Sequence, residues 1–221
     1  MSFIVYGASL SPFVRKVRVF LAEKGIAYSQ EQITPMNMPD WYADISPMKK
    51  IPAFRDTDLP EPNTLPDSSI ICDYVEHKKP EPALYPKDAY ARGRALWFEE
   101  YADTAMAQSI GAGLFFERIV TLLIGRTPDE AKIKDTLENK LPPLFDYLEK
   151  QLGKNEFFVD GKFSIADIAM GTQFVNLAHA GESVDADRWP NLARFVTRVH
   201  ARPSFKACID EEAGFIKSLK K

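Results

Sequence analysis

Apolar and polar positions follow two different periods along this chain. Phe3, Ile4, Val5 and Tyr6 form a short unbroken apolar run, the pattern of a strand with protein on both faces. After the turn GASLS, Val14, Val17, Phe20 and Leu21 recur at helical spacing from Pro12 onward. Arg15, Lys16, Arg18, Glu23 and Lys24 fall on the other face, and Gly25 stands where a helix ends. A second strand over 27–33 completes a βα unit. The segment PMNMPDWYADISPMKKIPAF mixes turn residues with aromatics and predicts a loop holding a short irregular helix over 41–45. AFRD and the region around Leu65 predict a hairpin across the proline-rich loop DLPEPN, and Asp67-Ser68-Ser69 opens a helix through Ile70, Ile71, Tyr74 and Val75. The order βαβ, loop, ββα fills about 80 residues, a reasonable size for a small α/β domain.

The run KPEPALYPK at 79–87 holds three prolines in nine residues and breaks the period on either side. It predicts an α/β domain over 1–79, a linker over 80–87 and an all-helical domain over 88–221. Thr127-Pro128-Asp129-Glu130 supplies an N-cap, a proline at the first helical position and a glutamate at the third, so a helix is expected from there toward Leu152, kinked at Pro142 and Pro143. In FSIADI, Ser164 and Asp167 form a capping-box variant, with Phe163 and Ile168 set as a hydrophobic staple. That helix is apolar on most sides and is the expected core of the second domain. Further helices are predicted over 190–202 and 204–217.

Composition narrows the classes. Lys+Arg 28 against Asp+Glu 31 gives a charge of −3, which offers no broad basic face to a nucleic acid. The opening MSFIVYG is too short for a signal peptide, and no run approaches the roughly 20 apolar residues that span a bilayer, so a cytoplasmic protein without a membrane partner is expected. Cys72 and Cys208 lack CxxC spacing, and His77, His179 and His200 are scattered, so no metal site is expected.

Three N-terminal features suit one small anionic thiol ligand. Ser11-Pro12-Phe13 begins the first helix. Serine before proline is a common N-cap, yet a hydroxyl beside the positive end of a helix can also donate to a thiolate. A free thiol has a pKa near 8.5, and lowering it by about two units takes roughly 2.7 kcal/mol. Lys50-Ile51-Pro52 precedes a strand. The proline either begins an edge strand or, if cis, turns the backbone of Ile51 outward to pair with an extended peptide. Asp67-Ser68 is an ordinary cap in form, but a helix start with a hydroxyl can hold a carboxylate and the aspartate an ammonium, which suits an α-amino acid head group.

Taken together these residues resemble the soluble glutathione transferases of the serine type. SPFVRKVRVFLAEKGI is similar to that family's first catalytic helix, KKIPAF to its cis-proline strand, and PDSSIICDYVE to its glutathione-binding turn, where Asp67 replaces the usual glutamate. FVDGKFSIADIAMG resembles the family's capping-box helix, and WPNLARFVTRVHARPSFK the helix pair after it. The resemblance implies a thioredoxin-like N-terminal domain, an all-α C-terminal domain and a glutathione site facing a hydrophobic pocket. Ser11 would stabilise the thiolate, Ile51 beside Pro52 would pair with the cysteinyl backbone, and Asp67 with Ser68 would hold the γ-glutamyl end. Lys50 and Lys49 would reach the glycyl carboxylate. Phe13, Tyr101, Ala105, Met106, Ser109, Phe115 and Phe116 are candidates for the pocket that takes a hydrophobic electrophile, although aromatics at helical spacing usually pack. The expected reaction is attack of the glutathione thiolate on that electrophile, by a homodimer. Isomerisation, ether cleavage and glutathione binding without turnover are alternatives on the same scaffold.

Overall fold

The computed structural model describes residues 2–219. The chain divides into two compact units, Met1–Tyr85 and Pro86–Lys221. In the first, β1 (Phe3–Tyr6), β2 (Tyr28–Glu31), β3 (Ala53–Asp56) and β4 (Thr64–Pro66) form one sheet in the order β2-β1-β3-β4. β1 and β2 are parallel, as a crossover through α1 (Pro12–Glu23) requires, while β3 and β4 are the antiparallel hairpin. The pleat of β1 divides its side chains. Phe3 stacks on Phe54, and Tyr6 joins Ile33, Tyr42 and Ala53 in a small core that includes α2 (Tyr42–Ile45). α3 (Ser68–Lys78) packs against α1 and β3.

The polar face expected on α1 is mostly buried: Arg15, Lys16, Arg18 and Lys24 are buried, and Glu23 alone of the five is partly exposed. Each head group has a partner, which is the condition for burying a charge. Arg15 Nη2 donates to Leu10 O at 3.4 Å, Lys16 Nζ to Ser69 Oγ at 2.9 Å and Arg18 Nε to Tyr28 Oη at 3.0 Å. Lys24 Nζ donates to the carbonyls of Lys79, Pro80 and Pro82 and pairs with Glu76, whose carboxylate accepts from Leu84 N and Tyr85 N. The proline-rich segment is therefore fastened to α1 and α3 as far as Tyr85.

The second unit is helical. α4 (Ala89–Tyr101) runs on through a π-wound stretch, Ala102–Val120, into α5 (Thr121–Leu123). This 35-residue helix reaches a mean hydropathy of 1.2 over 18 residues, more apolar than the sequence reading allowed, and half of that window is buried within the fold. α6 (Glu130–Asp135) starts two residues later than expected, because Asp129 and not Thr127 is the cap, accepting from Lys132 N at 3.0 Å. A second π-wound stretch, Thr136–Lys140, leads without a break into α7 (Leu141–Leu152), with Pro142 and Pro143 just after it. α8 (Ile165–His179) is buried along nearly its whole length against α4 and the first π-wound stretch. α9 (Pro190–His200) and α10 (Pro203–Leu219) cover it. A Cβ at Gly171 would stand 2.7 Å from Val199 and Phe205, so α8 needs glycine at this crossing. Phe163 lies over the Arg202 guanidinium at 3.7 Å and against Phe157.

Candidate functional site: the sheet end where two helices begin

The three N-terminal features meet at one end of the sheet. β1 leaves at Tyr6, β3 enters at Ala53 beside it, and β4 leaves at Pro66 beside Ala53, so Gly7, Pro52 and Asp67 are neighbours by register. Gly7 has φ +149, and a Cβ there would lie 2.5 Å from Val14 and 3.3 Å from the Cβ of Ile51. The first turn of α1 and the segment before β3 therefore press on the same glycine, which no other residue could replace.

Ser11 is the N-cap of α1 with an extended backbone, and its Oγ accepts from Val14 N at 3.4 Å. A hydroxyl accepts through its lone pairs and donates through its hydrogen, so this cap leaves the hydrogen uncommitted. The Ile51–Pro52 bond is cis. The carbonyl of Lys50 accepts from Tyr42 Oη and Ser46 Oγ, both at 3.0 Å, and burial pushes the Tyr42 hydroxyl up to about 12, so it stays a donor. Ile51 makes no backbone hydrogen bond among the described residues. The side chains of Lys49 and Lys50 are exposed.

Asp67 caps α3 with φ +73 and ψ 132, a backbone that L-residues avoid at a cost of about 1–3 kcal/mol. Its Oδ1 accepts from Ser69 N at 2.9 Å and Ile70 N at 3.5 Å, which leaves Ser68 N unpaired among the described residues. Ser68 is buried while Asp67 is exposed, so this turn offers a carboxylate and a free N–H side by side.

The sequence from residue 5 to 83 matches the model of the glutathione S-transferase N-terminal domain, and 115–212 matches that of its C-terminal domain. The chain belongs to the glutathione S-transferase family. A glutathione S-transferase of Triticum aestivum is 28% identical over 211 residues, covering 94% of this chain and 93% of that one. A Methylobacterium radiotolerans glutathione S-transferase solved with glutathione sulfonate is 29% identical, with a TM-score of 0.76 over 95% of each chain. A glutathione S-transferase of Rhodospirillum rubrum, 24% identical, superposes with a TM-score of 0.84 over 93% of this chain and 91% of that one.

The residues that the sequence offered for a second pocket of this transferase differ in exposure. Met106 is fully enclosed, Ser109 and Phe115 are buried, and Phe116 is 38% exposed with Lys132 over its ring. Tyr101 packs on Tyr147 at 4.9 Å and near Trp97, and burial raises its hydroxyl to about 12. Phe13 and Ala105 are partly exposed. Two sets of contacts around these N-terminal residues escaped the sequence. Tyr42 and Ser46, four residues apart, carry a spacing that could have shown two hydroxyls on one helix face. The Lys16–Ser69 contact carries no signal, because a lysine in an amphipathic helix reads as solvated. Among the described residues no group of three or more His, Cys, Asp or Glu side chains could hold a metal ion.

Proposed function

We propose that the chain is a glutathione transferase in which Ser11 donates a hydrogen bond to the glutathione thiolate. The observation that carries this is the Ser11 hydroxyl at the start of α1, capping Val14 N with its hydrogen free. That bond, with the positive end of the helix, supplies the roughly 2.7 kcal/mol needed to ionise the thiol near neutral pH. The unpaired backbone of Ile51, ahead of Pro52, pairs with the cysteinyl residue. Asp67 takes the ammonium of the γ-glutamyl group and Ser68 its carboxylate. Lys50 and Lys49 reach the glycyl carboxylate. The thiolate attacks an electrophilic carbon of an apolar substrate, for which Phe13, Tyr101 and Ala105 are the partly exposed candidates. In this reading Met106 and Ser109 are core residues of the helical unit.

A homodimer is part of the proposal, supported by Ile70 at 54% exposed on α3 and by Tyr90, Leu96 and Trp97 exposed on α4. So is a cytoplasmic location, where thiols stay reduced, as the free Cys72 and Cys208 are here. The test is Ser11→Ala. The thiolate absorbance of bound glutathione should titrate well below 8.5 in the wild type and move up toward that value in the variant, and turnover at neutral pH should fall by about one to two orders of magnitude. If titration and turnover are both unchanged, Ser11 is not the activating group. Light scattering at the monomer mass of 25.0 kDa would overturn the dimer.

A further inference from the structure

We propose that Lys16 is a positioning residue for glutathione, setting the distance between the group that meets the thiol and the turn that meets the γ-glutamyl head. The inference rests on the reading of Ser11 and Asp67 above. Lys16 is fully buried, which a lysine accepts only with partners, and its Nζ donates to Ser69 Oγ at 2.9 Å. Ser69 is also the residue whose N–H donates to Asp67 Oδ1 at 2.9 Å. Lys16 lies five residues after Ser11 on α1, and Arg15 N, beside it, is bonded to Ser11 O at 2.9 Å. A rigid helix thus carries the Ser11 hydroxyl at its start and, just over one turn on, an ammonium that grips the first turn of α3. The ligand bridges two helix starts, and Lys16 is a direct side-chain tie between them.

The tie bears on binding, not on the thiol. Asp67 holds a backbone conformation that its neighbours must enforce, and the grip on Ser69 is one of those constraints. Releasing it lets the turn relax away from the spacing that a bound head group needs, while Ser11, fixed by β1 and its own helix, stays in place. Dissociation constants for glutathione by calorimetry, steady-state constants and the bound-thiol titration test this together. Lys16→Met should raise both the Kd and the KM for glutathione about tenfold or more, with kcat, the bound-thiol titration and the KM for the electrophile within about twofold of wild type. Lys16→Arg, which keeps the charge and the donor, should recover most of the affinity. Ser69→Ala should reproduce the loss in smaller size, and it alone decides if Lys16→Met does not fold. A folded Lys16→Met or Ser69→Ala protein with wild-type affinity for glutathione overturns the inference, as does a variant in which kcat and the thiol titration move together with KM. Failure of the wild type to bind glutathione overturns the parent reading and this one with it.

Discussion

α3 and α8 begin with the same chemistry, an aspartate that collects N–H groups at a helix start, and the two use it for opposite ends. At α3, Asp67 is exposed, holds φ +73 and leaves Ser68 N unpaired. At α8, Asp167 is fully buried, and its carboxyl accepts from Ser164 N at 2.9 Å, Ser164 Oγ at 3.1 Å and Phe158 N at 3.0 Å. The first start is strained and unfinished, with capacity left for a partner from outside. The second is closed on itself, and its reach to Phe158 also fastens the segment before the helix. A capping motif therefore declares a helix start, and only exposure and unspent hydrogen-bonding capacity tell whether it serves binding or folding.

The largest difference expected between them is in pH. Burial raises the Asp167 carboxyl to about 7, against the pull of the Phe158 and Ser164 donors. Its folded pKa lies above the unfolded 3.8, so the stability it contributes is complete below roughly pH 4 and is lost as the pH rises through 7, by up to about 1.4 kcal/mol per unit. Asp56 acts the other way. Burial raises it, but Lys78 and Tyr74 outweigh that and hold it low, so its contribution is lost only in more acid solution. Thermal melts of the wild type should therefore show Tm rising from pH 7.5 to 5, and Asp167→Asn should flatten that slope. Equal slopes would mean that the buried carboxyl does not titrate there.

Next in size, Asp67→Ala should weaken glutathione by about one to two orders of magnitude, since an unpartnered head group costs roughly 1–3 kcal/mol, with Tm lowered by no more than the loss of one exposed cap. An unchanged Kd by calorimetry removes Asp67 from the site. Asp167→Ala should do the converse. Measured near pH 6, it should cost close to the upper end of roughly 0.5–2 kcal/mol and lower Tm by a few degrees, with turnover per folded molecule kept. Normal stability with lost activity would reverse the comparison. The smallest effect separates strain from ligand contact. Asp67→Gly relieves the φ +73 backbone, so its Tm should stay within about a degree or two of wild type while glutathione affinity falls as in Asp67→Ala. A large drop in Tm would show that the cap, and not the conformation, dominates that turn.

Most of this fold was legible because apolar periodicity and caps are local. FIVY, the α1 period, the AFRD hairpin and the Ser164–Asp167 box each lie within a few residues of their partners. Ser11, Ile51 and Asp67 could be named for the same reason, each at a boundary between elements. What stayed hidden depends on contacts distant in sequence. The burial of Arg15, Lys16, Arg18 and Lys24 comes from partners supplied elsewhere in the chain, such as Ser69 and the carbonyls of 79–82. The late start of α6 depends on Glu117, which accepts from Asp129 N at 3.1 Å and from Lys132. Asp67 reads as a cap in any conformation, and its positive φ follows from β4 handing the chain directly to α3.

Lys24 has a consequence for anyone who would isolate the first unit. Its ammonium is held by oxygen atoms much as a metal ion would be, and two of those oxygens, from Pro80 and Pro82, belong to the segment that a composition-based cut would discard. A fragment ending at residue 79 would expose that charge on one side and strip Glu76 of the Leu84 and Tyr85 N–H groups. The shortest piece that keeps all of these Lys24 and Glu76 contacts ends at Tyr85, six residues beyond that cut.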